Sequence, residues 1–309
     1  YPADKNIIYA KYLLAIILLI ASSFFWSGNF FAGKIAYNTD LSPFKLSFFR
    51  WTLAFIILLP FTYSEIRKNL KYYKENLLLI SLIAFLGVTI FNSFTYISLQ
   101  ITLVINSALM NSVTPVLIIG FSWLIFKTKT SLLQFIGIFL SVIGAFCIIL
   151  KGNLNNLYSF QFTSGDIWMF IAALSWCVYS VLLRKIDKNL SQLATLEVLI
   201  FIGLIFLIPL YLIESSNSTF IPDNSTDYLI IIYVAIFASI VSFFSWNMGV
   251  SIIGANRAGL FLHLIPVFSS IWAISFLGEQ FALFHLIGTI FILLGIILSN
   301  LNFKYVKDN

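Results

Sequence analysis

The sequence predicts an all-α, polytopic membrane protein with ten transmembrane helices arranged as two inverted five-helix repeats. Three observations carry this. Hydrophobic residues make up 60% of the chain and charged residues 10%, against about 45–50% and about 25% in an ordinary soluble domain. Ten apolar runs are each long enough to cross a bilayer. The second half of the chain matches the first at a nearly constant offset.

A hydrocarbon core about 30 Å thick requires about 20 apolar helical residues. Runs of that length fall at 12–34, 43–62, 77–97, 103–126, 131–150, 166–185, 192–213, 228–248, 256–276 and 281–301. None alternates with the period of a barrel strand. Helices that satisfy their own backbone are therefore the expected spanning elements. The connections are short and rich in Lys, Asn, Ser, Asp or Pro, and the longest, from Glu214 to Asp227, is a polar loop. The first run is long enough to span and lacks a small-residue cleavage motif, so no cleavable signal peptide is expected. Cys147 and Cys177 both lie inside apolar runs and read as small buried hydrophobes rather than a disulfide or a metal pair.

Basic residues set the expected orientation. With the N-terminus in the cytoplasm, Lys5, Lys11, Arg67, Lys68, Lys71, Lys74, Lys127, Lys129, Arg184, Lys185, Lys188, Arg257, Lys304 and Lys307 fall on the cytoplasmic side. Lys34, Lys45 and Lys151 fall outside with the acidic loop of Glu214, Asp223 and Asp227, and Arg50 lies within a span. Both termini are thus expected in the cytoplasm of a cell whose inner membrane the chain crosses. The same asymmetry accounts for the net charge of +6 without a nucleic-acid partner.

At an offset of 150, Trp26 aligns with Trp176 and Lys34 with Arg184. At 151, Pro115 aligns with Pro266, Gly137 with Gly288 and Gly144 with Gly295. The expected units are 12–150 and 166–301. Five spans is an odd number, so the second unit enters the membrane from the opposite side. Secondary transporters with this plan bind substrate near the midplane, between the halves.

Two stretches carry a family resemblance, Tyr96 to Leu150 and Asn247 to Leu301. Each holds a polar hinge, a small-residue helix, a Pro and a Gly-rich final helix, and Phe24 to Lys34 (FFWSGNFFAGK) is similar to the start of the same domain. The chain thereby resembles two tandem copies of the EamA-type domain of the drug/metabolite transporters. The pattern carries a Glu after the Pro helix, present in the second half as Glu279 but replaced by Thr128 in the first. The resemblance implies a carrier for amino acids, nucleotides, other metabolites or drugs, often exported.

Polar groups inside spans mark candidate function, because burying them in lipid is costly. Trp26 with Asn29, and Trp176 with Tyr179, have i, i+3 spacing and share a helix face. They are expected to line a wet midplane cavity, against the alternative of a packing seam. Asn92 and Tyr96 share a face of the third span. Asn111 and Ser112 precede Pro115, and His263 precedes Pro266. The two prolines are expected to act as paired flexing points, against simple helix shaping. His263 is expected to line the cavity, with a possible proton-carrying role shared by Glu197. Arg50 reads as peripheral, snorkelling or bound to backbone carbonyls, and its depth argues against a direct bridge to Glu197. Lys34, Arg184 and Arg257 sit at span ends, where snorkelling is the default. Gly137 and Gly144, seven apart, suit one close-packed helix face within the molecule rather than a dimer contact.

No P-loop, HExxH or acidic metal cluster occurs, so no enzymatic activity, cofactor or metal is expected. The expected protein is a monomeric secondary transporter that exports small polar metabolites such as amino acids by alternating access. Multidrug export of lipophilic cations and a non-transporting receptor or scaffold are the competing expectations. Aromatic faces favour a ligand with an ammonium group or an aromatic body over a sugar phosphate, which needs a cluster of cavity Lys or Arg.

Overall fold

The structure, a computed structural model, describes residues 2–39, 41–102, 104–158, 161–216, 220–276 and 280–301. Glu279, Lys304 and Lys307 lie outside the described residues. Among the described residues, ten helices are long and apolar enough to span a membrane: α1 (Ile7–Asn38), α2 (Pro43–Lys68), α3 (Leu77–Ile101), α4 (Asn106–Phe126), α5 (Leu132–Ile149), α6 (Ser164–Lys185), α7 (Gln192–Ser215), α8 (Ser225–Ile253), α9 (Ala255–Phe276) and α10 (Leu283–Asn300). Several outrun the apolar segments because their last turns continue into polar sequence, as α2 does through Glu65 and Arg67. Helix α5 starts at a capping box between Ser131 and Gln134, and Asp166 accepts the backbone N–H of Thr163 at the start of α6.

The two sets of five helices do not pack as separate bundles. Helix α1 packs chiefly on α8, α3 on α6, α2 on α7 and α5 on α10. Each of these contacts maps onto itself or onto another member of the set when the halves are exchanged, the signature of a two-fold between inverted repeats. The α5–α10 contact is the tightest. A Cβ on Gly137 would strike the Gly295 carbonyl, and one on Gly144 would strike the Gly288 carbonyl. These glycines let two helix backbones touch, as small residues do in membranes. Helices α2 and α7 also correspond closely, with internal prolines Pro60 and Pro209.

Helices α3 and α8 each contain a π-helical stretch, Phe85–Ile90 and Val234–Val241. Such stretches displace carbonyls from the regular ladder, leaving acceptors for side chains. Asn92 donates to the Gly87 carbonyl at 3.1 Å, Trp26 to the Ala238 carbonyl at 3.0 Å and Ser239 to the Val234 carbonyl at 2.8 Å. The two stretches therefore sit where the polar interior is built.

Pro115 and Pro266 do not kink the middle of continuous helices. Pro115 opens the regular segment Thr114–Phe126 after a break at Ser112 and Val113. Pro266 lies in the first turn of Leu264–Phe276, after the 3-10 segment Gly259–His263. At a segment start the missing N–H of proline leaves no carbonyl of that segment unbonded.

Candidate functional site

The aromatic residues expected around a cavity pack instead against one another. Trp26 and Trp176, aligned in the repeat, meet edge to face with ring centroids 5.1 Å apart. Trp176 stacks on Tyr179 at 4.8 Å, and Phe243 and Trp246 close the cluster at 5.2 and 5.5 Å from Trp176. Trp246 is fully buried, which rules out an interfacial belt position. Trp26, Asn29, Asn111 and Trp176 share the wall of a crevice of only about 20 Å³, room for about one water. The expected wet midplane cavity is thus closed in this conformation, plugged by the aromatic rings that were to line it.

Beside the crevice lies a polar cluster centred on Arg50, which is fully buried. Its Nε donates to Ser239 Oγ at 2.7 Å. Its Nη1 reaches Asn92 Oδ1 at 2.9 Å, Tyr96 Oη at 2.5 Å and Asn29 Oδ1 at 3.4 Å. Tyr96 in turn donates to Asn29 Oδ1 at 2.7 Å. The guanidinium lies 5.0 Å from the centre of the Trp51 ring. Arg50 therefore joins α1, α2, α3 and α8, drawing on both halves. Its Nη2 has no hydrogen-bond partner among the described residues. The expectation of a peripheral, snorkelling Arg50 is corrected here: its depth along α2 was legible, but the face of α2 that carries it turns inward, where π-helical α8 offers Ser239. The signal available in the sequence was the charge inside a span.

A larger cavity of about 450 Å³ opens on the side shared by the ends of α4, α6 and α8 and the starts of α5, α7 and α9. Its wall includes Lys129, Arg184, Lys188 and Arg257, and no Asp or Glu among the described residues. Arg184 rests on the Phe126 ring at 4.9 Å, so the residue expected to snorkel at a span end faces this vestibule. Asn247 also belongs to the wall. Its Oδ1 accepts from Tyr179 Oη at 2.7 Å, and its Nδ2 has no partner among the described residues. Asn247 was absent from the expected site residues, although the repeat offset of 151 sets it opposite Tyr96, just as the offset of 150 sets Tyr179 opposite Asn29.

His263 lies outside the lining of both cavities. Its Nε2 donates to the Ser112 carbonyl at 3.0 Å, and its Nδ1 accepts from Ser141 Oγ at 2.6 Å. The Ser112 carbonyl is available because the chain breaks there, with Val116 bonding Val113 instead. His263 aligns with Ser112 in the repeat, so the two counterparts bond each other. This corrects the expected cavity position: both ring nitrogens are occupied in holding α9 to α4 and α5. Glu197 is buried, and neither carboxylate oxygen has a partner among the described residues. As its depth suggested, it makes no bridge to Arg50.

This chain matches the EamA-like transporter family twice, over residues 13–150 and 163–301. The chain belongs to that family. Relatives include the uncharacterized transporter YyaM of Bacillus subtilis, 28% identical over 97% of each chain. An uncharacterized transporter of Archaeoglobus fulgidus is 28% identical over 93% of this chain and 96% of its own. A solved structure titled "Crystal structure of protein" superposes with a TM-score of 0.71 over 95% of this chain and 99% of its own, at 14% identity. The EamA-like chain is therefore a multi-pass membrane protein of a transporter family, and the tandem match coincides with the inverted repeat seen in the helix packing.

Proposed function

We propose that this EamA-like protein is a secondary transporter that exports a small polar metabolite of the amino-acid class by alternating access between its two halves. One observation supports the reading above others. A vestibule of about 450 Å³ lies between elements of both halves, while the midplane beside it narrows to about 20 Å³ under an aromatic plug. An open entrance ending at a closed midplane is the geometry of one end state of a carrier. Asn247 offers hydrogen-bond groups in the vestibule wall and Asn29, Asn92 and Tyr96 offer them beside the plug, and the aromatic faces of Trp26, Trp176 and Tyr179 suit an ammonium or a flat apolar side chain. Asn111 extends the polar wall, and Ser112, Pro115, His263 and Pro266 form the breaks about which α4 and α9 would flex. Glu197 remains the carboxylate available for coupling to protons. Multidrug export is less well supported, because a lipophilic cation calls for a carboxylate at the cavity wall, and the described lining of both cavities contains no Asp or Glu.

On this reading the vestibule faces the cytoplasm of a bacterial inner membrane, an orientation that the basic residues around it favour. Single cysteines at Lys71 and Asn155, in a chain lacking Cys147 and Cys177, should be labelled from opposite sides. Proteoliposomes preloaded with amino acids should release them in exchange for external label. Labelling of both cysteines from one side would overturn the orientation, and absence of exchange for every amino acid would overturn the substrate class.

A further inference from the structure

We propose that Arg50 is the anchor for a carboxylate on the transported molecule. This rests on the carrier reading above and narrows its substrate class to molecules that bear that group.

A guanidinium presents five N–H donors in a planar fork and stays charged in proteins. Nε and Nη1 of Arg50 are engaged by Ser239, Asn92, Tyr96 and Asn29. All four partners are neutral. No hydrogen bond or ion pair with an Asp or Glu reaches Arg50 among the described residues. Glu197, a buried carboxylate of the neighbouring half, has both oxygens unpartnered among the described residues, so it is not the counter-ion. A cation buried in a lipid-embedded interior is costly, and a bound anion lowers that cost. The unused edge is Nη2, with two N–H groups and no acceptor among the described residues. A planar carboxylate accepts from such an edge as a charge-assisted pair. The four neutral partners hold the fork in orientation before an anion arrives. The approach is suited as well, since Lys129, Arg184, Lys188 and Arg257 stand in a vestibule wall with no carboxylate among its described residues, which concentrates anionic groups at the entrance. A zwitterion placed in this way sets its carboxylate at Arg50 and its ammonium near the rings of Trp26 and Trp176, joined to Arg50 through Asn29, which both lines the crevice and bonds the guanidinium.

The test uses the purified full-length protein and needs no variant for its first arm. The thermal midpoint is titrated with each of the twenty amino acids and with the carboxamide of every one that stabilises, and sodium chloride is titrated separately. The expected result is a stabilising acid whose carboxamide binds at least about tenfold more weakly, as loss of a charged, forked hydrogen bond implies. Chloride is expected not to displace it. The second arm compares Arg50→Lys, which keeps the charge but loses the fork, and is expected to weaken the acid by at least about tenfold with little change for the amide. Equal binding of acid and amide, or unchanged acid affinity in a folded Arg50→Lys protein, overturns the proposal while leaving the carrier reading intact. Competitive stabilisation by chloride assigns Nη2 to an inorganic anion and overturns it likewise. If no amino acid binds or is exchanged in proteoliposomes, the carrier's substrate class fails and this inference fails with it.

Discussion

The two halves of the molecule share a framework and differ in their chemistry. Where residues correspond, they join the halves: Trp26 meets Trp176, Ser112 meets His263, and the glycines of α5 meet those of α10. Where they do not correspond, a polar function is exposed on one side only. Pro60 and Pro209 align α2 with α7 at an offset of 149, which sets Arg50 opposite Leu199 and Glu197 opposite Phe48. The first half thus carries a buried cation where the second carries a leucine, and the second carries a buried acid where the first carries a phenylalanine. The aromatic centre is also asymmetric. Trp26 donates its indole N–H to the Ala238 carbonyl, whereas that of Trp176 has no partner among the described residues. Symmetric positions build the framework and the shared aromatic faces, and a carrier that binds an asymmetric molecule needs its asymmetric positions to orient it.

Five substitutions separate framework from chemistry. The largest effect is expected at the shared glycines. Gly144→Ile forces a branched side chain into the Gly288 backbone, which cannot move aside as a side chain would. Overpacking costs roughly 1–3 kcal/mol and occasionally more, and a loss beyond that range is expected here, read as disappearance of the monodisperse peak on size-exclusion chromatography. A folded, active Gly144→Ile protein would remove α5–α10 from the framework.

Arg50→Leu makes the first half like the second and should do the reverse. Transport should fall by at least about tenfold, as loss of a charge-assisted anchor implies, while the thermal midpoint stays level or rises, because replacing a buried charge with an apolar residue is often neutral or stabilising by about 1–4 kcal/mol. The remaining polar groups keep partners, with Tyr96 bonding Asn29 and Asn92 bonding Gly87. Parallel loss of stability and transport would reassign Arg50 to the framework.

His263→Ala is expected to lower stability by roughly 1–3 kcal/mol, since it strands the Ser112 carbonyl and the Ser141 hydroxyl in the interior. Substrate affinity per folded molecule should change little. A selective loss of affinity with an unchanged thermal midpoint would instead return His263 to the cavity wall. The smallest effect tests the tryptophan asymmetry. Trp26→Phe should cost about 0.5–1.5 kcal/mol beyond the change in ring size, through its lost hydrogen bond. Trp176→Phe should carry no such increment, and equal costs would show that the two indoles are equivalent.

Much of the candidate site was legible as residues and little of it as an arrangement. Asn29, Asn92 and Tyr96 stood out as polar groups inside apolar runs, and the structure brings them to one guanidinium. Arg50 stood out equally and was read as peripheral, because depth in a span follows from residue count at 1.5 Å per residue, whereas the direction a side chain faces depends on what the helix packs against. His263 was read as a cavity residue for the same reason. Its occupied ring nitrogens depend on a break in α4 that exposes one carbonyl more than 150 residues away in sequence.

The sequence by itself determined the number of spans, their helical character and their duplication. Each follows from local quantities: an apolar length matched to bilayer thickness, backbone groups that must be satisfied without water, and a repeated order of Trp, Pro and Gly. Tertiary structure alone decided which helices meet across the two-fold, that the aromatic residues close the midplane rather than line it, and that a buried arginine stands among neutral partners with one edge free. Those outcomes depend on the azimuth of each helix and on the π-helical stretches of α3 and α8, which leave no periodic mark on the chain.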